Sequence, residues 1–460
     1  MGVTPWNAPH ASGPIFSSVR LPGSKSLSAR ELLLAAIADT EGELKGVLHA
    51  RDTDLMVGAL TALGARFSPW PPVEEGAVRV RPIPGLWSGT DRVEDEVIEV
   101  ECGLSGTVMR FIPVLALALG RTVRFRADDQ ANVRPMTALL QTLETLGGRW
   151  QSDDPARGLF PYTLWPPAGD IPAEIEIDAR ESSQFISALL LAAPLFSHPC
   201  TIRSKTEQVP SWPHIQMTLE CLSKRGIDAQ AHRDGAGKPF WTVQPDSVFG
   251  QDLYIEADLS NAGPFLAAVG IVGGVTSIPA WPRQSSQAGD AWRSILTNFG
   301  MTVTYSSGVL TVRGSGELRA IDRDFSQVGE LVPTVAALAA YARGTSVLRN
   351  LHHLRGHETD RLEALRVELT RLGINVQITA QDDLVITGKP RVQRESTDFD
   401  QAVQMRSYAD HRMATFAALM GLYRPVQLDD VACTAKTLPD FPALWTDFIK
   451  PVQEEPLEQT

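Results

Sequence analysis

Six times along this chain a polar loop leads into an almost unbroken apolar run: KSLSARELLLAAIA from Lys25, LSGTVMRFIPVLALAL from Leu104, SSQFISALLLAAPLF from Ser182, LSNAGPFLAAVGIV from Leu259, VGELVPTVAALAAYA from Val328 and YADHRMATFAALMGL from Tyr408. Runs of this length, rich in Ala and Leu and poor in β-branched residues, predict helices buried on all sides rather than strands. A second kind of segment, such as RPMTALLQTLETLGG from Arg134 and ETDRLEALRVELTRLG from Glu358, has apolar residues on one stripe and charges on the other, and predicts surface helices. Five such segments close at Gly64, Gly147, Gly226, Gly300 and Gly373, where a left-handed glycine suits a helix C-cap. Beyond them, stretches such as INVQIT with DLVITG, and MTVTY with GVLTVRG, alternate like half-buried hairpin strands. The chain therefore reads as an α/β array of one supersecondary unit, βαβαββ, repeated six times.

A chain of 460 residues exceeds what one core normally organises, so the repeats are expected to divide into two lobes of three. Crossings near Pro22 and Glu256 give one lobe over residues 23–255 and another from 1–22 plus 256–460. The sixth unit lacks a final strand, since only a charged tail follows Lys450, and IFSSVRLP from Ile15 is expected to supply it. The tail EEPLEQT is expected to be disordered.

Composition adds exclusions. The net charge of −12 argues against general nucleic-acid affinity, so an anionic ligand must be captured by local cations. Cys102, Cys200, Cys221 and Cys433 are too few and too scattered for a disulfide scaffold or a structural zinc site, and reduced thiols are expected. The N-terminal MGVTPWNAPHASGPIF carries neither a signal-peptide pattern nor the hydroxyl residue of a myristoylation signal. The apolar runs are too short, or too broken by proline and polar groups, to span a bilayer, so a cytoplasmic protein is expected.

The lead-in loops supply the local cations. PGSKSLSAR places Lys25, Ser26 and Arg30 at the mouth of the first buried helix, where backbone N–H groups and the helix dipole favour an anion. Lys25 follows Ser24 rather than glycine, so a nucleotide-binding P-loop is discarded. GLSGTVMR offers Gly106, Thr107 and Arg110; NVRPM offers Arg134; ESSQF offers Ser182, Ser183 and Gln184; VPSWPH offers Ser211. In the second half, VGELVP contains Glu330, RGHETDR contains His357, Glu358 and Arg361, YADHRM contains Asp410, His411 and Arg412, and AKTLPDF contains Lys436. Taken singly, each is a helix cap or a surface pair. Repetition changes this, because equivalent positions in repeated units lie at equivalent places in space. Lys25, Arg134, Arg361, Arg412 and Lys436 suffice for small ligands bearing phosphates and carboxylates, whose oxyanions the guanidinium fork matches. Glu330 and Glu358 remain for proton transfer.

Taken in order, PGSKSLSAR, SGTVMR, RPM, SSQF, HETDR, DHRMA and AKTLPDF resemble the motifs of the EPSP synthase family, the 3-phosphoshikimate 1-carboxyvinyltransferases of the shikimate pathway, over nearly the whole chain. The resemblance implies the two-lobed enolpyruvyl transferase fold, an inside-out α/β barrel in each lobe with the active site in the interlobe cleft. It implies that the 5-hydroxyl of shikimate 3-phosphate adds to C2 of phosphoenolpyruvate and that phosphate then leaves. By position in the motifs, Glu330 is the base, and Glu358, or alternatively Lys25, protonates the methylene. Lys25, Gly106, Arg134, Gln184, Arg361, Arg412 and Lys436 match the phosphoenolpyruvate clamp. Lys25, Ser26, Arg30, Ser182, Ser183, Gln184, Ser211, Glu330 and His357 match the shikimate 3-phosphate side. The lobe 23–255 is expected to bind mainly shikimate 3-phosphate and the other mainly phosphoenolpyruvate, with the lobes drawn together by ligands. No metal or cofactor is implied. The expected partners are the two small molecules, with no nucleic acid and no membrane, and the chain is expected to be a monomer.

Departures from the commonest family pattern carry expectations of their own. Leu104 stands where many relatives have asparagine, Glu330 where many have aspartate, His357 where many have lysine and His353 where many have asparagine. Histidine titrates near neutrality, so the KM for shikimate 3-phosphate is expected to rise above pH 7. Gly106 implies sensitivity to glyphosate, a phosphoenolpyruvate mimic in this family. Two other readings are UDP-N-acetylglucosamine enolpyruvyl transferase, against which DDQANVRPM lacks the reactive cysteine, and a non-catalytic metabolite-binding relative.

Overall fold

In a computed structural model of the chain, residues 5–73, 76–88, 96–390 and 401–450 are described; the tail EEPLEQT lies outside them. The chain forms two compact units, Pro22–Ala257 and Met1–Leu21 with Asp258–Thr460, each built on its own apolar core.

One sheet pattern recurs. In the second repeat Ile98–Glu101 runs parallel to Val123–Arg126, which pairs antiparallel with Tyr162–Trp165, itself paired with Arg149–Ser152. The third repeat has the same order in Glu174–Ile177, Cys200–Ser204, Pro239–Val243 and Ala229–Arg233. The fifth has it in Asp322–Asp324, Thr345–Arg349, Leu384–Thr387 and Asn375–Ile378. The first and fourth repeats borrow their first strand from elsewhere in the chain. Leu253–Tyr254 lies parallel to Leu44 and Lys45, and Ile15–Ser18 lies parallel to Gly274 through Ser277. This corrects the expectation for IFSSVRLP, which completes the fourth sheet and not the sixth. The sixth sheet, Val403–Met405 with Val426–Leu428, takes Trp6–Asn7 as its antiparallel edge instead.

The helices divide as their patterns require. Every residue of Gly263–Val272, Val332–Tyr341 and His411–Met420 is buried, and nearly every one of Lys25–Ala36, Gly106–Ala118 and Gln184–Ala192. Each large apolar side chain sequestered there contributes about 1.5–3 kcal/mol relative to exposure. The amphipathic helices Arg51–Ala62, Thr137–Thr145, Trp212–Lys224, Trp292–Asn298 and Arg361–Arg371 end at the five glycines, all with positive φ between 71° and 112°. In each, the glycine N–H bonds three residues back and the next N–H five residues back, as in Gly373 to Thr370 and Ile374 to Leu369, both 2.9 Å. This is the Schellman arrangement, which satisfies two last-turn carbonyls and turns the chain into the following strand. Among the described residues no helix is long and apolar enough to cross a membrane. The four cysteines are free, and burial pushes Cys200 and Cys433 up to about 12, so neither is a thiolate at neutral pH.

Candidate active site

Within the Pro22–Ala257 unit the predicted residues gather at the first turns of three buried helices. Ser24 caps Lys25–Ala36 by accepting from Leu27 N–H at 3.4 Å, which puts Lys25 at the first helical position, its Nζ 3.5 Å from Asp52. Ser105 caps Gly106–Ala118 in the same way, from Val108 N–H at 3.5 Å. At Gly106 three residues converge. A Cβ there would lie 3.0 Å from Arg134 Nη2, 3.2 Å from Arg110 Nη1 and 3.4 Å from Gln184 Oε1. Arg110 donates to Gln184 Oε1 at 2.5 Å and to Pro135 O at 3.4 Å, and Arg134 donates to Leu104 O at 3.2 Å. Accepting at Oε1 fixes the flip of the Gln184 amide and leaves its NH2 as the donor. The bonds of the two arginines go to neutral acceptors, and burial together with the Arg134 charge lowers the pKa of Arg110. Two adjacent guanidinium groups held in this way are complementary to an anion. Backbone carbonyl 104 supports Arg134, so the replacement of asparagine by Leu104 does not remove that contact.

The serines occupy the neighbouring turns. Ser182 Oγ accepts from Gln184 N–H at 3.2 Å, and Ser183 is buried at the helix cap. Ser211 has φ 53°, in the left-handed region uncommon for a side-chain-bearing residue, at the start of Trp212–Lys224. Arg30 is held more deeply than its motif position suggested. It is buried, donating to Ser26 O at 2.9 Å, Thr218 Oγ1 at 2.8 Å, His214 O at 3.0 Å and Ser187 Oγ at 3.3 Å. Its guanidinium ties three helices together and orients the Ser26 peptide.

The other unit carries an ionic network. Arg361, buried, forms a two-pronged pair with Asp410, Nε at 2.7 Å and Nη2 at 3.0 Å. Burial opposes its charge, but Asp410 more than offsets this and raises its pKa. Asp410 also caps His411–Met420, accepting from Arg412 N–H at 2.8 Å. Glu358 accepts from Lys436 Nζ at 2.8 Å and lies 3.1 Å from His411 Nδ1. Glu358, Asp410 and His411 place carboxylate and imidazole atoms within 4.8 Å of one another, and the Lys436 ammonium on Glu358 adds a positive charge to this set. Glu330, in the turn Gly329–Leu331, accepts from Ser260 Oγ. Arg412 donates to Ser260 O at 3.0 Å.

The histidines correct an expectation. His353 is buried, and burial together with the positive charges of His352 and Arg361 pushes its pKa down to about 4. It is neutral throughout the neutral range and cannot make substrate binding fall off above pH 7. His357 Nδ1 lies 2.8 Å from Arg361 Nη1; a guanidinium only donates, so Nδ1 accepts and any ring proton sits on Nε2. The motifs left Ser260 and Asn261 unassigned, although both are buried beside these charges. The only sequence signal was their place in the LSNAGPF loop, equivalent to the other five.

A profile of the EPSP synthase (3-phosphoshikimate 1-carboxyvinyltransferase) family matches residues 9–445. The chain belongs to the EPSP synthase family. A 3-phosphoshikimate 1-carboxyvinyltransferase of Kocuria rhizophila (strain ATCC 9341 / DSM 348 / NBRC 103217 / DC2201) is 46% identical over 450 residues, 96% of each chain. Two structures of EPSP synthase from Acinetobacter baumannii are similar in fold, with TM-scores of 0.75 and 0.74 at 20% identity. They cover 96% and 97% of this chain and 98% of theirs. The α/β repeat fold read from the sequence is the EPSP synthase fold.

Proposed function

We propose that this protein transfers the enolpyruvyl group of phosphoenolpyruvate to the 5-hydroxyl of shikimate 3-phosphate, releasing phosphate, as a cytoplasmic monomer of the shikimate pathway. The observation that carries the reading is the cradle at Gly106, where Arg110, Arg134 and Gln184 converge so closely that even a Cβ would meet them at 3.0–3.4 Å. An anion of phosphoenolpyruvate's size matches that chemistry, and bare backbone lets it approach closely.

In this reading Glu330 takes the proton of the 5-hydroxyl as its oxygen attacks C2. The methylene carbon receives a proton from Glu358, which Lys436 or His411 can recharge, or from Lys25. Lys25, Gly106, Arg134, Gln184, Arg361, Arg412 and Lys436 hold the phosphate and carboxylate as charge develops in the tetrahedral intermediate. Loss of a methyl proton and of phosphate then restores the double bond. Lys25, Ser26, Arg30, Ser182, Ser183, Gln184, Ser211 and His357 hold shikimate 3-phosphate, with Arg30 acting partly through Ser26. The assignment gives Pro22–Ala257 most of the shikimate 3-phosphate contacts and the other unit much of the phosphoenolpyruvate clamp.

Phosphate release from phosphoenolpyruvate tests the reading, with shikimate 3-phosphate, with UDP-N-acetylglucosamine and with neither. Release with shikimate 3-phosphate alone is expected. Release with the nucleotide sugar, or binding of both ligands without release, would overturn it.

A further inference from the structure

The loop before the fourth buried helix, residues 258–261, has no part in the roles assigned above, yet it touches three of the assigned groups or their neighbours. Ser260 donates its hydroxyl to Glu330 Oε1, and its carbonyl accepts from Arg412 Nη1 at 3.0 Å. One residue thus holds both the assigned base and a clamp arginine. Asn261 donates Nδ2–H to Thr437 O at 3.1 Å, the peptide next to Lys436, and its own N–H is held by Asp258 Oδ1 at 3.0 Å. The loop is braced from behind. Leu259 N–H donates to Gln287 Oε1 at 3.1 Å, and a Cβ on Gly289 would lie only 2.2 Å from Leu259 C and 2.4 Å from Ser260 N. Ser260 and Asn261 are both buried, where a polar side chain is tolerated for the bonds it makes.

We propose that Ser260 is a positioning residue for the reaction: its hydroxyl sets the rotation of the Glu330 carboxylate and favours its ionised form, and its carbonyl sets the direction of Arg412. The inference rests on Glu330 being the base. A hydroxyl donor stabilises a carboxylate over the carboxylic acid, so a base held in this way stays ready at lower pH. Other charged and titratable groups lie around Glu330. Arg361 acts on it electrostatically, and Arg412 lies across the Ser260 peptide. The neighbouring turn 352–356 brings neutral His353, His352 paired with Asp382, and Arg355 paired with Asp360 and Asp382. The turn 288–291 brings Asp290, paired with Arg293.

The test compares full-length Ser260→Ala, Ser260→Thr and Ser260→Cys with Glu330→Gln, in steady-state kinetics from pH 5.5 to 9. For Ser260→Ala, kcat should fall about 10- to 100-fold, the effect of losing a hydrogen bond to a charged group. The acid limb of kcat should move up by about one pH unit. The KM for phosphoenolpyruvate should stay within about twofold, because the carbonyl to Arg412 is kept. Threonine should restore kcat and the limb, and cysteine, a weaker donor, should fall between. Wild-type kcat and limb in Ser260→Ala beside an inactive Glu330→Gln would overturn this inference and leave the base in place. So would an equal rise of both KM values with the limb unmoved, or failure of threonine to rescue. Near-normal turnover by Glu330→Gln would instead overturn the assignment of the base. If alanine prevents folding, the cysteine and threonine profiles decide the question.

Discussion

Tyr408 donates its hydroxyl to Glu368 at 2.8 Å while its own backbone sits in the left-handed region, φ 56°, followed by Ala409 at φ 55°. Two consecutive residues of this kind cost about 1–2 kcal/mol each. The cost is met by bonds at both ends of the turn: Ser407 N–H to Asp429 Oδ1 at 2.8 Å and Asp410 N–H to Ser407 O at 2.9 Å. The turn delivers Asp410, His411 and Arg412 to the network in sequence. Its strain is therefore tied to placing that network.

Removing that strut should be costly, and more so at high pH. Glu368 is buried and its pKa is raised by burial, while the Tyr408 hydroxyl opposes the rise. A carboxyl whose folded pKa lies above its unfolded value stabilises the fold as pH falls through the folded pKa and weakens it as pH rises. Tyr408→Phe is expected to lose about 1–3 kcal/mol at pH 8, through an under-bonded buried carboxylate, and less at pH 5. Urea unfolding at the two pH values checks both the size and the sign.

His353 contributes to the acid side of the stability curve. With a folded pKa of about 4 against an unfolded 6.5, the unfolded chain binds the extra proton between those values, so stability is full above pH 6.5 and is lost as pH falls toward 4. The loss attributable to this ring is about 3 kcal/mol. His353→Asn should flatten that dependence in denaturant titrations between pH 4.5 and 7. The KM for shikimate 3-phosphate should show no rise above pH 7 that depends on His353.

The same ring makes glycine obligatory before Glu330. A Cβ on Gly329 would lie 2.0 Å from His353 Nε2 and 2.9 Å from Cε1, a rigid buried ring that has nowhere to go. Gly329→Ala should displace the Glu330 turn and lower kcat at least about tenfold, the order expected when a catalytic group is misplaced. The double variant with His353→Ala should recover part of that loss. An unchanged kcat in Gly329→Ala would show that the turn has slack.

Gly106→Ala should behave differently. Its new methyl would meet the far ends of Arg134, Arg110 and Gln184 at 3.0–3.4 Å, groups that can give by tenths of an ångström. Stability should change by no more than about 1 kcal/mol. The KM for phosphoenolpyruvate should rise while that for shikimate 3-phosphate holds. Equal rises in both would mean that Gly106 shapes the whole unit rather than the anion cradle.

The features legible in the sequence are those set by local signals. Six buried helices follow from runs such as VPTVAALAAY, and the five caps follow from a glycine after an amphipathic stripe. Partners at long range were not legible. Trp6–Asn7 is two residues long and carries no period to detect, while Ile15–Ser18 has a strand's pattern but nothing in it that names the fourth sheet over the sixth. The motifs located the charged groups of the candidate site but not their engagement. The motifs placed Arg30 at the mouth of a helix as a ligand cation, gave Ser260 no role and made His353 a titrating group. In each case burial and a partner 70 or more residues away, or a neighbouring charge brought in by the fold, decided the matter.

The borrowed strands impose a timetable on synthesis. Asn7 pairs with Gln427, 420 residues later, so at ribosomal rates roughly twenty to eighty seconds separate the two partners. Throughout that interval Trp6–Asn7 has no sheet to join, and Ile15–Ser18 has none until Gly274–Ile278 is made. Pro22–Ala257, by contrast, is one continuous stretch whose last strand, Leu253–Tyr254, closes its own first sheet, so it can finish while the rest of the chain is still being made. A nascent chain halted near residue 290 should already protect that half from protease while leaving residues 5–18 open to cleavage.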